Sequence, residues 1–238
     1  MDSWKTHINR LMAKLGYRVV RRKIDLLDVL RLKNVDLVID VGANEGQFGL
    51  SLRRRGYYGR IASFEPIPQV YARLRQVTFR DANWSSQELA LGDYDGSATL
   101  RVAKSSQLSS LLASTEWNKD RESNVAQVRC ETVAIRRLDS ILPELKTDRP
   151  FLKVDVQGAE EKVLRGAKES LSRIVGVQLE IALYEFYEGQ LLLQESLRLM
   201  NDLGFVPAII DPIGYYDATD PCRLMEMDCV FIRRRHPT

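Results

Sequence analysis

The stretch Val38–Phe48, Val-Ile-Asp-Val-Gly-Ala-Asn-Glu-Gly-Gln-Phe, constrains this chain more than any other. Val38, Ile39 and Val41 are β-branched and follow Leu37, which reads as a buried parallel strand stopping at Gly42. Gly42 and Gly46 let the backbone turn tightly and let a ligand approach it, and the helix that begins near Gly46 offers unpaired N–H groups. A nucleotide-like ligand is the expectation.

What the loop lacks narrows the ligand. A dinucleotide fingerprint needs three glycines spaced G-x-G-x-x-G, and here the second and third positions are Asn44 and Gln47. Asp40, two positions before the first glycine, would repel a phosphate but attract an ammonium or sulfonium centre. That chemistry suits S-adenosylmethionine. The next predicted strand, Ile61–Phe64, ends in Glu65-Pro66, and a carboxylate beside the first crossover can accept both hydroxyls of a ribose.

The remaining pattern alternates strands and helices. A helix over Gly46–Arg55 and a second over Pro68–Gln76 follow the first two strands, and Trp84–Leu91 reads as a third strand. Repeated βα units imply a parallel sheet with right-handed crossovers. Asp95-Gly96 signals a hairpin before a strand at Ser97–Val102, and periodicity then dissolves between Ala103 and Asn124, as in many functional loops. Ala126–Ile135, Phe151–Val156 and Ile174–Ala182 are further strands, with a helix at Ala159–Leu171 between the last two. After a helix at Gln190–Leu203, Phe205–Ile210 and Met227–Arg233 are joined too closely for a crossover helix and should pair antiparallel. The expected fold is α/β: a mostly parallel sheet finished by a C-terminal antiparallel hairpin, the arrangement of the seven-stranded methyltransferase fold. Residues 35–238 form that domain, and residues 1–34 a helical extension packed on it.

At 238 residues, 45% hydrophobic, the chain is long enough for one substantial core. The net charge of +3 comes with no dense basic stripe interleaved with aromatics, which argues against a nucleic-acid partner. Cys130, Cys222 and Cys229 are odd in number and form no C-x-x-C pair, so neither a disulfide framework nor a zinc site is expected. With no apolar run of membrane-spanning length and no leader-like segment, the expectation is a cytoplasmic protein. Trp4–Leu15 reads as an amphipathic helix: a cap on the core, a lid, or a peripheral membrane contact. His7 and His236 could supply a base only if a terminus folds over the site.

Two strands carry charge where apolar residues are the rule. Lys153 and Asp155 share a face of Phe151–Val156, and Gln178 and Glu180 interrupt Ile174–Ala182. If these strands are neighbours, Lys153, Asp155 and Glu180 converge at the carboxyl ends of the sheet, where open α/β sheets bind ligands.

These residues, taken together, resemble the FkbM family of S-adenosylmethionine-dependent O-methyltransferases, over roughly Val35 to Arg233. The marks are Ile39-Asp40-Val41-Gly42-Ala43-Asn44-Glu45-Gly46, Phe64-Glu65-Pro66, Ala90-Leu91-Gly92-Asp93 with Asp95-Gly96, and Leu152-Lys153-Val154-Asp155-Val156-Gln157-Gly158-Ala159-Glu160 followed by Val163-Leu164-Arg165-Gly166-Ala167. One departure stands out: Gln157 occupies a position where the family usually has Glu, which removes a charge near the site. The resemblance implies a Rossmann-like, seven-stranded class I methyltransferase sheet and a hydroxyl-bearing acceptor such as a sugar, a glycolipid or a polyketide-type molecule.

On this reading Asp40, Gly42, Asn44, Gly46 and Glu65 contact the cofactor, with Gln47, Phe48, Leu89 and Ala90 beside them; Phe48 and Leu89 read equally well as plain core. Attack by an alcohol needs a base, and Asp155 is the first candidate. Lys153 either tunes it or, if desolvated and neutral, is the base itself. Two alternatives stand beside these: a structural ion pair between Lys153 and Glu180, and a divalent cation held by Asp155 and Glu180. A cofactor-binding module without catalysis is the competing function from another class, and a nucleic-acid methyltransferase a third.

Overall fold

The computed structural model describes residues 23–212, 216–217 and 220–234, together with Met12. The amphipathic pattern at Trp4–Leu15, most of the 1–34 extension, His7 and His236 lie outside the described residues.

The first described helix, α1 (Leu26–Leu32), opens with a reciprocal cap in which Asp28 N–H donates to Asp25 at 3.0 Å and Asp25 N–H to Asp28 at 3.1 Å. Leu27, Val29 and Leu30 are buried in a cluster with Val38, Leu52 and Phe151, so this end of the extension packs on the sheet. Strand β1 (Leu37–Val41) is buried at every position and leads into α2 (Gln47–Arg54). Then come β2 (Arg60–Phe64), α3 (Pro68–Thr78) and β3 (Trp84–Gln87). Gly49 of α2 sits so close to the Trp84 ring that a Cβ would lie 2.2 Å from it, which is why this helix turn carries no side chain.

The expected third strand divides. Its first half is β3; its second half, β4 (Ala90–Leu91), belongs to a separate three-stranded sheet with β5 (Gly96–Ala103) and β6 (Gln127–Arg136), in the order β4-β6-β5. Asp95-Gly96 therefore does not close a two-residue hairpin. It leads into β5, whose partner is β6, and Asp95 accepts from Arg137 N–H at 2.8 Å. The stretch expected to be irregular contains α4 (Glu116–Arg121) between two short 3-10 turns.

The chain then runs through α5 (Leu138–Ile141), β7 (Pro150–Val154), α6 (Glu160–Arg165), β8 (Gly176–Ala182), α7 (Leu193–Asp202) and β9 (Phe205–Asp211). It closes with a short pair, β10 (Tyr216–Asp217) and β11 (Asp220–Leu224), and with β12 (Glu226–Arg233). The main sheet has the order β3-β2-β1-β7-β8-β12-β9, and β12 runs antiparallel to both its neighbours. That is the mostly parallel, seven-stranded Rossmann-like arrangement expected, with the last strand inserted between β8 and β9. Apolar side chains fill both faces: Ile39, Phe64, Leu152 and Phe231 on one, Val38, Leu52, Phe151 and Trp84 on the other. Cys229 is buried in this core, whereas Cys130 lies exposed on β6. Among the described residues no helix is long and apolar enough to cross a membrane.

Candidate active site

A cavity of about 500 Å³ opens over the carboxyl ends of β2, β1, β7, β8 and the start of β12. At one end stands Glu65. Its carboxylate accepts from Asn44 N–H at 3.0 Å and from Ile67 N–H at 2.9 Å, one amide per oxygen, so each oxygen keeps acceptor capacity toward the cavity. Burial pushes its pKa up to about 7, against those two amides. Gly42, Asn44, Gln47, Phe48, Leu89 and Ala90 line the same end. Gly42 has φ +73°, and a Cβ there would meet the Asp155 carbonyl at 1.8 Å, so the glycine is what lets the β1 turn lie against the end of β7.

Two residues assigned to the loop's ligand face elsewhere. Asp40 is fully buried and absent from the lining; it accepts from Ser63 Oγ at 3.0 Å, and Ser63 in turn accepts from Trp84 Nε1 at 2.9 Å. Gly46 caps α2 and packs toward Leu74 and Trp84 rather than the cavity. The physical reason is period two: Asp40 precedes the turn inside the strand, and its side chain goes to the sheet interior.

Lys153 explains why a charge is tolerated there. Its Nζ lies 3.2 Å from Asp40 and 3.3 Å from Asp155, donates to Gly42 O at 3.2 Å, and sits 5.5 Å from the centre of the Phe48 ring. Burial alone would lower its pKa, but Asp155 and Asp40 on either side more than offset that and raise it. Lys153 is therefore a held cation, and the expectation of a neutral lysine base is corrected. So is the Lys153–Glu180 pair, because the lysine's partners are Asp40 and Asp155.

Glu180 is met instead by Gln157, whose Nε2 donates to Glu180 at 2.8 Å and to Asp155 at 3.3 Å. Gln157 Oε1 accepts from Tyr187 Oη at 3.0 Å. Gln157 and Asn44 both adopt left-handed backbone, φ +56° and +47°, a conformation that costs more for Gln than for Asn. The amide thus occupies the space between the two carboxylates assigned to a cation, and among the described residues no group of three or more His, Cys, Asp or Glu could hold a metal ion.

Sequence reasoning missed the far wall. Glu226 and Asp228 of β12 line the cavity beside Glu180, and Asp228 lies directly opposite Glu180 in the antiparallel register. Burial, then Asp155, raises Glu226 to about 7 and Asp228 to about 6, and burial with the surrounding carboxylates raises Glu180 well above the usual range. The signal was present: Glu226 and Asp228 alternate in an otherwise apolar strand, as Gln178 and Glu180 do in β8. Ser106, Leu108, Asn118 and Arg121 close the cavity from above, from the segment that had no periodicity to read. That segment is tied down by Ser110 Oγ donating to Gln157 O at 2.6 Å and Asn44 Nδ2 to Ser106 Oγ at 3.1 Å, and the one proton of Tyr187 Oη is shared between Gln157 Oε1 and Leu108 O, each at 3.0 Å.

Residues 40–207 match the Methyltransferase FkbM domain, a span that begins at the buried aspartate of β1 and ends inside β9. The chain belongs to the FkbM methyltransferase family. It is 30% identical over 202 residues to Methyltransferase sdnD of Sordaria araneosa, covering 75% of this chain and 76% of that protein. It is 28% identical over 196 residues to 2-O-methyltransferase NoeI of Sinorhizobium fredii, covering 79% of each. Among solved structures, Precorrin-6y C5,15-methyltransferase from Geobacter metallireducens GS-15 is a loose likeness, with a TM-score of 0.42 and 14% identity over 88% of this chain and 85% of that one. In this FkbM methyltransferase the cavity just described is the candidate active site. Its central and acidic residues, Lys153, Asp155, Glu180, Glu226 and Asp228, sit at the carboxyl edge of the main sheet.

Proposed function

We propose that this FkbM methyltransferase moves a methyl group from S-adenosylmethionine to a hydroxyl of a small-molecule acceptor, with Asp155 removing the hydroxyl proton. The observation that carries this reading is the single cavity that runs from Glu65 past Gly42 to Asp155.

The donor set fits the cofactor. Glu65 keeps acceptor capacity for the two hydroxyls of a ribose, while Ile67, Leu89 and Ala90 offer apolar walls for a flat ring. Gly42 and Asn44 bring backbone close to the cavity at the β1 turn. When bound, S-adenosylmethionine supplies an electrophilic methyl on a sulfonium. The chain's own share is to orient an acceptor oxygen and take its proton.

Asp155 is equipped for that share. Its side chain is 38% exposed, whereas Lys153 beneath it is 6% exposed, so the carboxylate faces the cavity and the ammonium anchors it from below. Gln157 holds the other carboxylate oxygen from the side at 3.3 Å. The lysine and the amide therefore position Asp155 without taking its proton-accepting role.

The test is calorimetry with S-adenosylmethionine on wild type and Glu65→Ala, followed by transfer of labelled methyl groups to candidate hydroxyl acceptors. Loss of cofactor affinity in the variant and label recovered as an O-methyl ether are expected. Unchanged affinity removes Glu65 from the site. Label turned over by no acceptor, with cofactor bound, makes the chain a binding module instead.

A further inference from the structure

The far end of the cavity has a polarity that the cofactor does not explain. Glu180 on β8 and Asp228 on β12 are directly opposed in the register, and Glu226 stands two residues before Asp228 on the same face. Gln178 belongs to this wall as well. Its side chain lines the cavity, is 6% exposed and donates from Nε2 to Asp228 at 2.9 Å, which leaves Oε1 buried with no hydrogen-bond partner among the described residues. A buried acceptor without a donor is costly, so its presence in a side chain that lines a cavity points to a ligand that supplies the donor.

The side chains that the two strands present here, Gln178, Glu180, Glu226 and Asp228, are one amide and three carboxyls. The nearby cations do not neutralise this wall. Lys153, paired with Asp40 and Asp155, lowers Asp228, and Arg121, 5.1 Å from both the Trp117 and Phe186 rings, lowers Glu226, yet the pKa of each carboxyl stays raised. The cofactor's ribose end belongs at the other side, at Glu65. By strand spacing β12 stands roughly 14 Å from β1, with β7 and β8 between them.

We infer that the acceptor turns an ammonium group toward Gln178, Glu180, Glu226 and Asp228, and is therefore an amino alcohol, a molecule carrying a free amine near the hydroxyl that is methylated. This deepens the reading given under Proposed function and rests on it. An ammonium offers three donors, which suits acceptors diverging from two strands, and its charge lets buried carboxyls ionise that otherwise repel one another. A hydroxyl in the same place brings one donor and no charge.

The experiment uses the wild-type chain saturated with S-adenosylhomocysteine and follows the carboxyl carbon resonances of Glu180, Glu226 and Asp228 by NMR. The probes are D-glucosamine, in its ammonium form, and D-glucose, which differs at one group. Saturable shifts at these carbons with at least about tenfold tighter binding of the amine are expected, the scale of a charge-assisted hydrogen bond. In Glu180→Gln combined with Asp228→Asn, that preference should fall toward unity. Equal affinity for the two sugars, no saturable response to either, or displacement of glucosamine by magnesium or manganese ions overturns the inference. Should S-adenosylhomocysteine itself fail to bind by calorimetry, the cofactor reading fails separately, and the same titration on the unliganded chain still decides the wall.

Discussion

Lys153 and Asp40 form an ion pair of 3.2 Å in which the lysine side chain is 6% exposed and the aspartate not at all. Charges so buried are tolerated only because each has further partners: Ser63 for the aspartate, and Asp155 with the Gly42 carbonyl for the lysine. Lys153→Met should therefore destabilise the fold by about 3–5 kcal/mol in urea unfolding, since it strands Asp40, and Asp40→Asn should cost less because Asp155 still faces the lysine. Because the lysine's pKa is raised, its contribution is complete below the unfolded value of about 10.4 and is lost only as pH climbs through the folded value. Stability of the wild type between pH 6 and 9 should owe no slope to this residue, and a variant less stable by under about 1 kcal/mol would show that the pair is not a support.

Asp155→Asn should lower turnover by about two to four orders of magnitude with the acceptor, while cofactor affinity by calorimetry stays close to wild type. The substitution keeps shape and leaves Lys153 its partner in Asp40. Near-full turnover in the variant would place the base elsewhere.

The acidic wall predicts a pH dependence of stability with a definite sign. Glu226 at about 7 and Asp228 at about 6 sit above their ordinary values, so the folded chain binds more protons than the unfolded one across that range. Their contribution is complete below pH about 4 and is lost as pH rises through 6 to 7. Unfolding midpoints in urea should accordingly decline from pH 5 to pH 7.5, and Asp228→Asn should flatten the decline. An identical slope in the variant would remove Asp228 from the cause.

Ser110 is 2% exposed, and its hydroxyl donates to the Gln157 carbonyl while accepting from Leu112 N–H at 3.0 Å. Ser110→Ala should cost about 1 kcal/mol and speed amide exchange over residues 105–125 specifically. In wild type, exchange over that segment should slow when cofactor binds. Equal rates with and without ligand would make the segment a fixed wall rather than a closing one.

At Gly42, Ala should be worse than its size suggests, because the positive φ and the Asp155 carbonyl both oppose a Cβ. Loss of soluble folded protein is expected, and recovery of wild-type midpoint in urea would contradict the geometry.

The sequence by itself determined the order of strands and helices, the glycine turn after β1, the carboxylate after β2, and the antiparallel end of the sheet. These follow from local periodicity and from residues whose backbone conformations are nearly obligatory. It also marked Lys153, Asp155 and Glu180 as belonging together, since charges in apolar strands need partners. Only the tertiary structure decided which partners. Asp40 points inward to Lys153 rather than to a ligand, Gln157 stands between Asp155 and Glu180, and β12 slides between β8 and β9 to bring Glu226 and Asp228 onto the cavity. Direction of a side chain at a strand end depends on strand neighbours distant in sequence. The division of Trp84–Leu91 between two sheets has the same origin: an apolar run reads alike whichever edge it joins, and the choice rests on β6, more than thirty residues downstream.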